Sequence, residues 1–170
     1  MSKQMNKRVK QLAYAGMIAA AYVVLTWLSA MLGLEGKSAI QLRLSEALCI
    51  LPYFTVAAVP GLTVGCLIAN LLTAAALPDL VFGTLATLLG AIGTRLLRRH
   101  RFLAPLPPIV SNTLIIPVVI KVSYVGVEEA LPFLFFTVGV GEILSVGVLG
   151  TVLLLSLERR RHLLFPDDIS

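Results

Sequence analysis

The sequence predicts an all-α membrane protein, a bundle of six transmembrane helices with the N- and C-termini in the cytoplasm. Hydrophobic residues make up 58% of the 170 positions and charged residues only 14%, and the mean hydropathy is +0.92. A soluble domain has about a quarter charged residues, and a chain this short cannot bury so much apolar surface in its own core. We therefore expect one membrane domain over residues 12–157, with a basic N-terminus (1–11) and a cytoplasmic tail (158–170).

Breaks in the apolar pattern predict the six spans. A helix needs about 20 apolar residues to cross the hydrocarbon core of a bilayer. Polar, proline and glycine positions divide the chain into apolar runs at residues 12–33, 44–59, 62–77, 80–97, 109–125 and 133–157. The first run is too long for the apolar part of a signal peptide and is read as a retained span. The division between the second and third runs depends on Pro60-Gly61, and the second is short.

The basic residues indicate the orientation. With the N-terminus inside, 11 of the 14 lysines and arginines fall in cytoplasmic segments. This is the positive-inside pattern, and an odd number of spans would break it at the C-terminus. The basic flanks are then expected to contact anionic lipid, and a nucleic-acid partner is not expected.

Motifs for catalysis and for nucleotide binding are missing from the sequence. There is no H-E-x-x-H, no nucleophile elbow and no phosphate-binding loop. We therefore expect no enzyme activity, and transport could use ATP only through a separate chain. Cys49 and Cys66 lie in apolar runs and are read as inert, so no cofactor and no metal site are expected.

Glu142 is the clearest candidate for a functional residue. It lies near the middle of the sixth span, where a carboxylate is costly and usually marks a substrate or ion path. Ser145 follows at three-residue spacing and shares its helical face. The alternative is a carboxylate that pairs with a neighbouring helix for assembly alone.

The second span carries a possible second group of ligand contacts. At α-helical spacing, Arg43, Glu46, Ile50 and Tyr53 would face one way. Arg43 and Glu46 could instead pair with each other at the membrane surface, although Glu46 lies deeper.

Two polar residues in other spans are weaker candidates. Asn70 lies near the middle of the third span, where it either contacts a ligand or forms an interhelical hydrogen bond. Lys121 lies near the outer end of the fifth span, where extension of its side chain to the headgroups is the alternative to ligand contact.

Small residues mark two faces at which helices can approach closely. In the first span these are Ala15 and Ala19, with Gly16 and Ala20 beside them. The fourth span has a similar face, which we expect to pack within the bundle: Gly83, Ala86, Gly90 and Gly93.

Several stretches in a fixed order together resemble one known family. They are Leu42-Arg-Leu-Ser-Glu-Ala-Leu48 with Leu51-Pro-Tyr-Phe54, Val59-Pro-Gly-Leu62 with Gly65-Cys-Leu-Ile-Ala-Asn70, Asp79-Leu-Val-Phe-Gly-Thr-Leu-Ala-Thr87, Leu103-Ala-Pro-Leu-Pro-Pro108 with Asn112, and Val140-Gly-Glu142. From about residue 10 to residue 157 the chain resembles the queuosine-precursor transporter (QueT) family, the S components of energy-coupling factor importers.

The resemblance implies a six-helix S component in a prokaryotic cell membrane, which captures its ligand from outside. Its partners would be a transmembrane coupling subunit and two cytoplasmic ATPases. The face of Ala15, Gly16, Ala19 and Ala20 would dock on the coupling subunit. The cargo would be a 7-deazaguanine such as preQ0, preQ1 or queuine.

The candidate residues suit such a cargo chemically. A carboxylate can accept both N–H groups of a guanine-like edge, and charge-assisted hydrogen bonds of this kind are strong. Glu142 and Glu46 could bind this edge and the cation of an aminomethyl precursor, with Tyr53 or Trp27 stacked on the ring. Alternatives are an S component for another vitamin, a small ion-coupled secondary transporter and, more distantly, a membrane-embedded enzyme.

Overall fold

The fold is known from a computed structural model, which describes residues 2–34, 42–73, 75–123 and 130–165. Within these ranges every regular element is helical. The long elements are α1 (Ser2–Met31), a 3₁₀ helix (Leu44–Tyr53), α2 (Ala58–Leu72), α3 (Leu77–Leu96), α4 (Leu106–Ser123) and α5 (Leu131–Glu158). A short 3₁₀ turn (Arg101–Leu103) precedes α4, and a four-residue helix, α6 (Arg161–Leu164), follows α5.

Four helices are long and apolar enough to cross a membrane. The candidate spans are Lys7–Met31, Leu77–Leu96, Arg101–Ser123 and Leu131–Glu158, the third of which includes the 3₁₀ turn before α4. The helices Leu44–Tyr53 and Ala58–Leu72 are shorter. Large apolar side chains such as Leu12, Phe136 and Val152 lie exposed on the outside, while Glu46, Asn112 and Glu142 are buried. Exposed apolar surface around a core that also holds polar groups is expected of a chain that lipid surrounds. The protein is thus a multi-pass membrane protein, and the count of six crossings with cytoplasmic termini stays a prediction.

Four proline sites predicted to separate spans instead lie in the first turns of helices. Pro60, Pro78 and Pro132 lie inside α2, α3 and α5, and α4 begins Leu106-Pro107-Pro108. The first N–H groups of a helix have no partner inside the helix, so a proline costs little there. The predicted break at Pro60-Gly61 is therefore wrong, and the chain turns earlier, over residues 54–57.

The second predicted span, residues 44–59, is shortened to the 3₁₀ helix and lies beside α1. At one end the backbone N–H of Leu44 donates to Ser29 Oγ at 2.9 Å. Just beyond the other end, Phe54 stacks on Phe165, whose ring also contacts that of Tyr14. A 3₁₀ helix rises about 2.0 Å per residue, so ten residues extend about 20 Å. That nearly equals the roughly 22 Å from Tyr14 to Ser29 along α1, which rises 1.5 Å per residue.

Glycines allow α1 and α2 to pack closely. A Cβ added at Gly61 would lie 2.8 Å from the Ala15 carbonyl oxygen, and one at Gly65 would lie 2.9 Å from Tyr22 Cβ and beside Ala19 Cα. Both distances are too short for a real side chain, so α2 needs glycine at these two positions.

The fourth-span glycines pack within the bundle, as predicted. A Cβ at Gly90 would lie 2.7 Å from Pro108 Cα, and one at Gly93 would lie 2.5 Å from Pro107 Cβ. The end of α3 is thereby held against the start of α4.

The middle of α5 is a π-helix, Ile143–Gly150, which packs against the 3₁₀ helix. A Cβ at Gly150 would lie 3.1 Å from Ile50 Cγ2 and 3.4 Å from the Ala47 carbonyl oxygen. Glu46 lies in this 3₁₀ helix, and Glu142 directly precedes the π-helix. The packing of these two irregular helices brings the two carboxylates to the same part of the interior.

Candidate ligand-binding site

Two buried glutamates converge on one side-chain amide. Asn112 Nδ2 donates to Glu46 Oε2 at 3.1 Å and to Glu142 Oε1 at 3.0 Å. The three residues come from α4, the 3₁₀ helix and α5, and each is at most 8% exposed. Asn112 lies 11 residues before the end of α4 at Ser123, and Glu142 lies 11 residues after the start of α5 at Leu131. At 1.5 Å per residue, the group is therefore about 17 Å from these two helix ends.

Glu46 has the more complete set of partners. The Tyr22 hydroxyl, from α1, donates to Glu46 Oε1 at 2.5 Å. The Cys49 thiol donates to Oε2 at 3.2 Å. With the Asn112 amide, three donors from three elements therefore surround this carboxylate.

Glu142 is bound on one side only. Its Oε1 accepts from Asn112, but its Oε2 and the Ser145 hydroxyl are buried with no hydrogen-bond partner in the described part of the chain. A buried polar atom without a partner costs about 1–3 kcal/mol, so it usually marks strain or a functional site. Glu142 Oε2 and the Ser145 hydroxyl thus have hydrogen-bonding capacity that the described residues do not use.

The charges of the site favour a cationic or proton-donating ligand. Two carboxylates that share one donor repel each other, and a cation or a shared proton relieves this repulsion. Arg43 is half-buried and close enough for its charge to act on Glu142. Its positive charge helps to balance the two carboxylates.

The predicted stripe along the second span is wrong in its register. A 3₁₀ helix has three residues per turn, so Glu46 aligns with Cys49 rather than with Ile50 and Tyr53. Tyr53 lies at the far end of this helix, where its ring meets the Phe54 ring edge-on at 5.0 Å. Ile50 is buried against the π-helix.

Asn70 belongs to a neighbouring polar cluster. Its Nδ2 lies 3.4 Å from the Asp79 carbonyl oxygen and 3.7 Å from Cys66 Sγ. Thr87 donates to the same sulfur at 3.3 Å. Both cysteines are free and buried, as expected, but each takes part in polar contacts of the interior.

Trp27 and Lys121 lie away from the two carboxylates. Trp27 is 59% exposed and lines a groove of about 300 Å³ between α1 and α2, together with Thr26, Ala69 and Thr73. The Thr26 hydroxyl donates to Ser45 Oγ at 2.8 Å, next to Glu46. The Lys121 side chain is exposed near the end of α4.

The four candidate docking residues of α1 divide between two surfaces. Ala15 and Ala19 face the glycines of α2, whereas Gly16 and Ala20 are exposed. A Cβ at Gly16 would have no atom within 4 Å. The role of this face in docking stays a prediction, with Gly16 and Ala20 as its accessible part.

The site also contains residues that the sequence did not single out as ligand contacts. Asn112 carries the same signal as Asn70, since it is an amide inside an apolar run. Tyr22 carries little signal, because a tyrosine in a span is usually read as an interfacial residue.

A multi-pass helical membrane protein with an enclosed polar site fits the class of membrane transport proteins. The model of the QueT transporter family matches residues 12–159, and the chain therefore belongs to that family. No curated protein and no solved structure matches the chain. Among the described residues, no group of three or more His, Cys, Asp and Glu side chains could hold a metal ion.

Proposed function

We propose that this protein is the S component of an energy-coupling factor importer and captures a queuosine precursor, a 7-deazaguanine such as preQ0, preQ1 or queuine. The observation that supports this best is the group of Glu46, Asn112 and Glu142 at bilayer depth. The buried Oε2 of Glu142 and the Ser145 hydroxyl lie beside it without a described partner.

The chemistry of a 7-deazaguanine suits these groups. Its N1–H and 2-amino group are parallel donors, and the Glu142 carboxylate accepts both once it turns toward them. Such charge-assisted bonds are strong in a site that excludes water. An analogue without these donors would leave the carboxylate buried and unpaired, so the site would reject it.

The groove at Trp27 is the proposed approach to the site. Trp27 offers an aromatic face there, and Thr26 joins the groove to Ser45 beside Glu46. Tyr53, at the far end of the 3₁₀ helix, has no part in ring stacking in this proposal.

Energy for uptake would come from partner chains. The sequence has no phosphate-binding loop, so a coupling subunit and two ATPases would drive release of the ligand into the cytoplasm. The exposed side of α1 at Gly16 and Ala20 is the proposed contact with the coupling subunit, because small residues allow close helix packing.

The test combines ligand binding with reconstituted uptake. Calorimetry on the purified chain should detect 7-deazaguanine binding without ATP, with adenine, which lacks the N1–H and 2-amino donors, and an unrelated vitamin as controls. Proteoliposomes that also contain the energising subunits should accumulate ligand only with ATP. Failure of all three 7-deazaguanines to bind would reject the proposed cargo.

An ion-coupled secondary transporter is the second candidate. The paired carboxylates of Glu46 and Glu142 favour it, since such pairs take up protons in many transporters. Uptake by the chain alone, driven by a proton gradient without ATP, would support this candidate and reject the S-component role.

A further inference from the structure

A cavity of about 450 Å³ lies at the basic end of α3, and neither of the two glutamates lines it. It is lined by Arg95, Leu96, Arg98 and Arg99. Arg95 lies in the last turn of α3 and Arg98 and Arg99 in the turn that follows, and all three line this one cavity. Arg161, which follows α5, is also close enough for its charge to act on Arg95.

The described carboxylates do not neutralise these arginines. In the described ranges, Glu46, Asp79 and Glu142 lie in the interior or at the start of α3, and Glu158 binds Arg101 at 3.4 Å. Arg95 Nη1 donates to the Pro52 carbonyl oxygen at 3.3 Å, a contact that holds the guanidinium in place without compensating its charge. The positive charges of the arginines repel one another. An anion in the cavity would attract each of them and so offset this repulsion.

We propose that this cavity binds the phosphate group of an anionic membrane lipid. Guanidinium groups match phosphate oxygens with paired hydrogen bonds, and basic pockets between membrane helices bind phospholipid headgroups. Leu96 supports a lipid rather than a free anion, because it lies among the arginines and is 76% exposed. The headgroup contacts the arginines while an acyl chain lies along Leu96. This site does not depend on the proposed cargo.

The experiment measures thermal unfolding of the purified full chain in detergent while lipid is titrated. Phosphatidylglycerol should raise Tm by about 2–4 °C or more and reach saturation, and phosphatidylcholine should not. In separate samples without lipid, Tm is measured in sodium phosphate and in sodium chloride at equal ionic strength. Stabilisation by inorganic phosphate equal to that by phosphatidylglycerol would reject a lipid as the source of the phosphate.

Two double variants with the same change of charge test where the lipid binds. Arg98→Gln/Arg99→Gln should lose most of the phosphatidylglycerol effect. Arg159→Gln/Arg160→Gln removes two exposed arginines that do not line the cavity and should keep it. If both variants lose the phosphatidylglycerol effect equally, the lipid is attracted diffusely to the basic surface and the proposal is overturned. It is also overturned if Arg98→Gln/Arg99→Gln keeps the full effect.

Discussion

Replacing Glu142 by glutamine should abolish tight ligand binding while the fold is preserved. The new side chain keeps its size and keeps the oxygen that accepts from Asn112 at 3.0 Å. It replaces Oε2, the atom without a described partner, by an amide that would face the donors of the ligand. Loss of a buried charge-assisted pair costs about 2–5 kcal/mol, which corresponds to an affinity loss of roughly 30-fold to several thousand-fold.

The stability of this variant should be equal to that of the wild type or higher. A neutral amide is cheaper to bury than a carboxylate, and the substitution also removes the repulsion between Glu142 and Glu46. A loss of binding together with a higher or unchanged Tm would therefore distinguish a ligand contact from a residue needed only for assembly.

The assay is calorimetric titration of the purified variants with preQ1, with thermal unfolding measured on the same samples. Glu158→Gln is the matched control, because it makes the same chemical change on α5 at a partly exposed carboxylate paired with Arg101. It should bind like the wild type. Wild-type affinity in a well-folded Glu142→Gln variant would refute the reasoning and leave Glu46 as the better candidate.

Three further predictions follow from the bundle. Asn112→Leu should lower the free energy of unfolding by roughly 1–3 kcal/mol, because two buried carboxylates lose their shared donor; unchanged chemical denaturation would contradict the bridge. Ala20→Leu should block reconstituted uptake and spare ligand binding, whereas Ala19→Leu should impair both because Ala19 faces α2; equal effects would argue against docking through this face. Reporter fusions after Glu128 should read as external and fusions after Arg161 as internal, and an external C-terminus would rule out six crossings.

The bundle was predictable from sequence in its class but not in its helix boundaries. Long apolar runs identify α1, α3, α4 and α5 because lipid requires continuous apolar helices. Proline was the misleading signal, since Pro60 and Pro78 begin helices instead of separating them. A local pattern does not distinguish a proline that begins a helix from one that separates two helices. The outcome depends on where the residues before the proline form their hydrogen bonds.

The register of the second span was decided by packing. Pro52 removes one backbone N–H from the segment, but this local effect does not by itself select three residues per turn over 3.6. With one end held at Ser29 and the other next to the Phe54–Phe165 stack, the segment takes the longer rise of a 3₁₀ helix, and its three residues per turn rotate Tyr53 away from Glu46. The same rotation brings Cys49 to the carboxylate.

By itself, the sequence determined that this protein lies in a membrane, and it predicted Glu142 as a costly carboxylate within a span, with Glu46 as a second candidate that could also have paired with Arg43 at the membrane surface. Those conclusions depend on the free energy of transferring each residue from water to lipid, which is a property of composition and position. Only the tertiary structure decided that the two carboxylates meet at Asn112 and that Trp27 and Tyr53 lie elsewhere. Residues 46, 112 and 142 come from three different helices, so their contact depends on packing between helices, which no local pattern encodes.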